Sequence, residues 1–160
     1  MSDLTQALAM PDQPEAIFAA LEAEVHRTIG VKLFTIMELD RENRVARRSY
    51  TNMPQAYPAT GEKPMLEDAW TEQVEGRQET FVANSIDEIA AVFPDHELIR
   101  SLGCESCLNL PIVIGGQVVG TLNCLHEAGH YSPDRVAAAE SLKQSGALAL
   151  LVASTFRKGA

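Results

Sequence analysis

Apolar residues recur at helical spacing at Ile17, Phe18, Leu21 and Val25, which predicts an amphipathic helix over Pro14 to Thr28. Glu15 falls in its first turn, where a carboxylate suits the helix dipole, and Gly30 ends it. Val31 to Leu39 is rich in Val, Phe, Thr and Ile and reads as a strand. Asp40 to Asn43 is a turn and Val45 to Thr51 a second strand, so the two form a hairpin. Residues 52–64 carry three prolines and Gly61 and predict a long loop, the kind of segment that covers or binds ligands. Leu66 to Val74 predicts a helix around Trp70, stopped by Gly76, and Glu79 to Ala83 a short strand. Ser85 and Glu88 form a capping box before a short helix that holds Ile89 and Val92. Asp95 is placed to cap a further helix, stopped by Gly103. From Glu105 to His126 two apolar, β-rich runs flank Gly115-Gly116, the signal of an antiparallel hairpin. Ser132 as N-cap and Pro133 at the first helical position open one long helix to about Phe156. Its second half, Ala147 to Val152, is apolar nearly all round and must pack against something.

Strands joined by hairpins and flanked by helices argue an α+β fold with an antiparallel sheet. The 160 residues fit a single domain, with residues 1–12 as an N-terminal arm and 13–160 as the domain. No apolar run approaches the roughly 20 residues that span a bilayer, and Met1 to Thr5 lacks the layout of a signal peptide, so the cytoplasm is the expected compartment. A formal charge of -9 argues against nucleic acid or an anionic membrane as partner. Arg44, Arg47 and Arg48 form the only dense basic spot and read as a solvated strand face.

The stretch Ser106 to Asn123 resembles the signature of GAF domains. Leu110-Pro111 stands where that family ends one strand, and Val119-Gly120 where the next begins after a glycine-bearing turn. The order of elements agrees over about residues 13–156. The resemblance implies a central antiparallel sheet with the terminal helices on one face. Short helices and a loop would cover a pocket on the other. It implies a small-molecule sensor or regulatory module acting as a homodimer through its first and last helices, with a separate output protein. It leaves ligand and cofactor open, because family members bind cyclic nucleotides, bilins, haem or metabolites, or only dimerise. The alternative it offers is a thiol-dependent redox enzyme of the free methionine sulfoxide reductase type.

The residues speak against the specialised versions. An Asn-Lys-x-Phe string of the cyclic-nucleotide type is absent, and neither Cys104 nor Cys107 has a neighbouring His for bilin attachment. Cys104 follows Gly103 at a helix C-terminus, the unfavourable end for a thiolate, and Thr121 to Leu125 carries no acid for a reductase. The three cysteines are expected to be reduced, buried thiols. Cys104 and Cys107 form a C-x-x-C, but in a strand they point to opposite faces, and only His126 and His130 are near enough to complete a zinc site. Asp95-His96 reads as a cap and a first-turn residue. No metal and no catalytic group is assigned, and enzyme chemistry has no positive support.

Strand alternation sorts the long hairpin into faces. Leu108, Leu110, Ile112 and Ile114 share one, and Cys107, Asn109, Pro111 and Val113 the other. With Gly115-Gly116 as the whole loop and no bulge, Asn109 would face Leu122. A three-residue loop or a bulge near Pro111 instead pairs Asn109 with Asn123 and Leu110 with Leu122, which segregates polar from apolar side chains. The second register puts Leu110, Leu122 and Cys124 beneath the terminal helices. Cys107, Asn109, Thr121 and Asn123 then line a candidate pocket, with Trp70 and Phe93 on the segments that close it.

Overall fold

The computed structural model describes residues 3–158. Within the N-terminal arm, α1 (Asp3–Leu8) lies against α2 (Glu15–Thr28) and buries Ala7 in the common core. Then follow β1 (Leu33–Asp40), β2 (Val45–Thr51), β3 (Glu62–Pro64), α3 (Ala69–Thr71), β4 (Phe81–Ala83), α4 (Ile86–Ala90) and α5 (His96–Ser101). The long hairpin β5 (Ser106–Ile114) and β6 (Gln117–His126) leads into α6 (Pro133–Ala139) and α7 (Leu142–Lys158). The sheet has six strands in the order β3-β2-β1-β6-β5-β4, and every neighbouring pair is antiparallel. The fold is thus α+β.

The strands β1, β4, β5 and β6 send alternate side chains to two cores. Phe34, Ile36, Leu108, Leu110, Ile112, Leu122 and Cys124 meet Ile17, Phe18, Leu21 and Val25 of α2 and Ala149, Leu150 and Ala153 of α7. Leu33, Cys107 and Leu125 face the other way, against Ile89 of α4 and Ile99 of α5.

The hairpin register decides this sorting. Asn109 pairs with Asn123 and Leu110 with Leu122. The loop is only Gly115-Gly116, both in the left-handed region that such a two-residue turn requires. Pairing jumps from Ile112↔Gly120 to Val113↔Val118, so Val119 is the extra residue of a bulge that restores the segregated register.

Four local expectations are corrected. The loop 52–64 ends in an edge strand, β3, where Pro64 is tolerated because one side of an edge needs no donor. The helix around Trp70 starts only at Ala69, after Asp68 caps the Thr71 N–H at 2.8 Å, and continues as a π-helical turn over Glu72–Gly76. Asp95 makes no side-chain cap bond to α5, because its carboxylate is engaged by Tyr57 instead. The final helix is broken at Glu140-Ser141, where three i→i−3 hydrogen bonds form and the Ser141 hydroxyl bonds the Ala138 carbonyl at 2.9 Å. Ser85 and Ser132 do cap α4 and α6 through their hydroxyls.

Candidate functional site

Between the second face of the sheet and the covering segments lies a cavity of about 510 Å³. Its floor comes from three central strands. Register sets Thr35 of β1 opposite Asn123 of β6, and Asn123 opposite Asn109 of β5. The three side chains form a hydrogen-bonded row. Asn109 Nδ2 donates to Asn123 Oδ1 at 2.8 Å, and Asn123 Nδ2 donates to Thr35 Oγ1 at 3.2 Å. Trp70 Nε1 donates to Asn109 Oδ1 at 3.0 Å, which ties the roof to the floor. Cys107 also points its thiol at that oxygen, at 3.5 Å. These bonds are the partners that buried amides need. Trp70 and Phe93 meet edge to face with ring centroids 6.4 Å apart, and Phe81 backs Phe93 at 6.0 Å. The residues expected at the pocket, Trp70, Phe93, Cys107, Asn109, Thr121 and Asn123, therefore all border this one cavity.

The structure adds a charged end that the sequence reading missed. Arg48 is not part of a solvated face. Arg44 and Arg47 are, since they reach Glu67 at 3.5 Å and Glu62 at 2.9 Å. Arg48 pairs with Met37 and turns into the cavity. Its Nη1 donates to the Pro58 carbonyl at 3.1 Å, and its guanidinium carbon lies 4.9 Å from the centre of the Tyr57 ring. Its Nε is buried without a partner among the described residues. Tyr57 in turn donates its hydroxyl to Asp95 at 2.5 Å. Lys63 on β3 pairs with Ala46, the next inward position of β2, and so borders the same space. Burial lowers the pKa of the half-buried Arg48, and crowding by neighbouring protein lowers that of Lys63 although its side chain is exposed, with Asp95 opposing the shift in each. Burial, then the bond to Asp95, raises that of Tyr57. One signal for Arg48 was available: adjacent residues of a strand face opposite ways, so Arg47 and Arg48 cannot share a solvated face.

With this geometry in view, the family follows from sequence. The model of the GAF domain family matches residues 12–151. The chain belongs to the GAF domain family. Among curated proteins none matches it in sequence. Solved structures of the same fold include the GAF domain of a two-component sensor histidine kinase from Bacillus halodurans, 16% identical, with a TM-score of 0.68 over 92% of this chain and 99% of that one. A cyanobacteriochrome GAF domain is 23% identical, with a TM-score of 0.64 over 91% and 92%. Free methionine-R-sulfoxide reductase from Neisseria meningitidis, in complex with its substrate, is 13% identical, with a TM-score of 0.66 over 94% and 85%. At these identities the likeness carries the fold alone.

The thiols of this GAF domain are spread over two cores. Cys104 and Cys107 lie on the pocket side and Cys124 beneath the helices, all buried and free. Burial raises all three pKa values, that of Cys107 to about 12. Among the described residues His126, Glu127 and His130 are the one group of potential metal ligands, without either cysteine. The two imidazoles stack 3.5 Å apart at 4°, so their lone pairs run parallel and do not converge. His126 Nδ1 already accepts the Glu127 N–H at 2.8 Å, and His130 Nε2 donates to the Ile29 carbonyl at 2.7 Å.

Proposed function

We propose that this GAF domain is a small-molecule sensor or regulatory module whose ligand occupies the cavity between the sheet and the segment β3–α5. The observation that carries the reading is a cavity of ligand size with apolar walls and a small set of fixed polar groups. The Trp70-Asn109-Asn123-Thr35 row pre-organises donors and acceptors at its floor, so a bound molecule would not have to order them. The thiol-dependent alternative lacks an activated nucleophile, because each cysteine is shielded from water and held in its neutral form. We further propose a cytoplasmic homodimer formed through α2 and α7, which passes the binding signal to a separate protein.

A native mass spectrum of the protein purified from its source cells tests the ligand reading. The expected spectrum contains a non-covalent adduct, and Asn123→Leu removes it while the circular dichroism is kept. Bare chain alone, together with no melting shift across a metabolite library, would sink the reading.

A further inference from the structure

The cavity is electrically lopsided. Arg48, half-buried, and Lys63, exposed on β3, border it from neighbouring strands at the sheet edge, and neither forms an ion pair among the described residues. Asp95 is the one carboxylate among the described residues whose field acts on both, and one of its two oxygens accepts the Tyr57 hydroxyl. Two cations against one carboxylate leave one positive charge at this end. The other acids that border the space are turned to other tasks. Glu62 reaches outward to Arg47, Asp68 caps α3, and Glu75 has Arg41 and Asp68 as its charged neighbours, away from Arg48 and Lys63.

From this arrangement we infer that Arg48 and Lys63 form an anion subsite and that the ligand is a small monocarboxylate with an apolar body. The inference rests on the proposed use of the cavity as the ligand site. One net positive charge complements one negative charge. A carboxylate also supplies acceptors for a guanidinium and an ammonium that lack an acidic partner, and such charge-assisted bonds are the strong ones. Away from the Asn109-Asn123-Thr35 floor, Leu33, Met37, Leu39, Trp70 and Phe93 give the cavity a largely apolar wall that suits an apolar body. A phosphate dianion would set its second charge against those walls unpaired. The buried, unpartnered Nε of Arg48 is a cost that the free protein carries and that a small reorientation onto a bound carboxylate would relieve.

Trp70 is the chain's one tryptophan and borders the cavity, so its fluorescence reports occupancy directly. The titration uses 3-phenylpropanoate and hexanoate, their neutral amides, and inorganic phosphate, at neutral pH and low salt. Each acid is expected to bind at least about tenfold tighter than its amide, with no saturable response to phosphate. Lys63→Gln and Arg48→Gln should each shrink that preference to within about threefold, with acid affinity falling by more than amide affinity. Lys63 lies on an edge strand, so its variant carries the test if Arg48→Gln does not fold. Equal affinity of acid and amide in the unaltered protein overturns the anion subsite and leaves the cavity as ligand site. Tighter binding of phosphate than of either acid overturns the carboxylate assignment. No binding by any compound overturns the subsite and speaks against the cavity reading as well.

Discussion

Burial pushes the Cys107 thiol up to about 12, and it raises Cys104 and Cys124 too. The reactive form of a thiol is the thiolate, so these three should behave as small hydrophobic side chains. Iodoacetamide should label the native protein only at the rate of its opening and should reach all three thiols in denaturant. Fast native labelling of Cys107 would revive the redox alternative. Each single Cys→Ala variant should keep the fold, as judged by circular dichroism. At Glu75 burial raises the carboxyl pKa. Between its unfolded and folded pKa values the unfolded chain has released this proton while the folded one still holds it. Stability therefore falls as pH rises through that window, and the deficit persists above it. Glu75→Gln removes the charge and should raise the melting temperature at neutral pH by roughly 2 °C, with no gain near pH 3.5 where the native residue is itself protonated. A pH series of melts checks both the sign and the convergence.

Among the elements, the hairpin β5–β6 is held from both sides. A Cβ on Gly120 would collide with the Met37 carbonyl oxygen on β1 and stand 2.9 Å from Leu150 Cδ1 on α7. The backbone oxygen cannot yield without opening the β1–β6 ladder. A Cβ on Gly146 of α7 would meet the Ile112 Cδ1 atom at 2.7 Å, the movable end of a side chain. Gly120→Ala should therefore cost about 3 kcal/mol or more. Gly146→Ala should cost clearly less, since repacking of Ile112 is offset by the roughly 1 kcal/mol that Ala gains over Gly inside a helix. Urea unfolding of the two variants gives the comparison, and equal losses would contradict the rigid-backbone argument. The caps at Ser85 and Ser132 were legible because a cap is a local hydrogen bond. The strand β3 was not, because three residues with a proline carry no periodicity and pair only because β2 presents an edge.

At the scale of the whole molecule, the helical layer is not fully used. Leu151 and Phe156 on α7 are 51% and 50% exposed, and Leu8 and Met10 near α1 are 41% and 52% exposed. Of these, Leu151 and Phe156 are exposed apolar side chains on α7, one of the two helices through which the dimer is proposed. Sedimentation at micromolar concentration should show a dimer, and Leu151→Asp should yield a monomer with its cavity intact. A monomeric parent protein would remove the dimer from the proposal. No helix among the described residues is long and apolar enough to cross a membrane.

Sequence by itself determined what depends on neighbours along the chain. The 3.6-residue period of Ile17, Phe18, Leu21 and Val25 placed α2. The two-residue period of β5, joined to the requirement that its apolar set be buried, grouped Asn109, Thr121 and Asn123 apart from Leu110, Leu122 and Cys124. Tertiary structure decided the chemistry at the cavity's charged end. Ile36 pairs with Tyr50 and Met37 with Arg48, so Ser49 is the extra residue of a second bulge. That bulge lets Tyr50 pack on Phe18 beneath the helices while Arg48, two residues earlier, turns into the cavity. Plain alternation would have sent both side chains the same way. Lys63 arrives only through the pairing of β3, and Tyr57 meets Asp95 across 38 residues of chain. Bulges, edge pairing and long-range hydrogen bonds are set by what the partner strand or loop offers, and no local pattern encodes them.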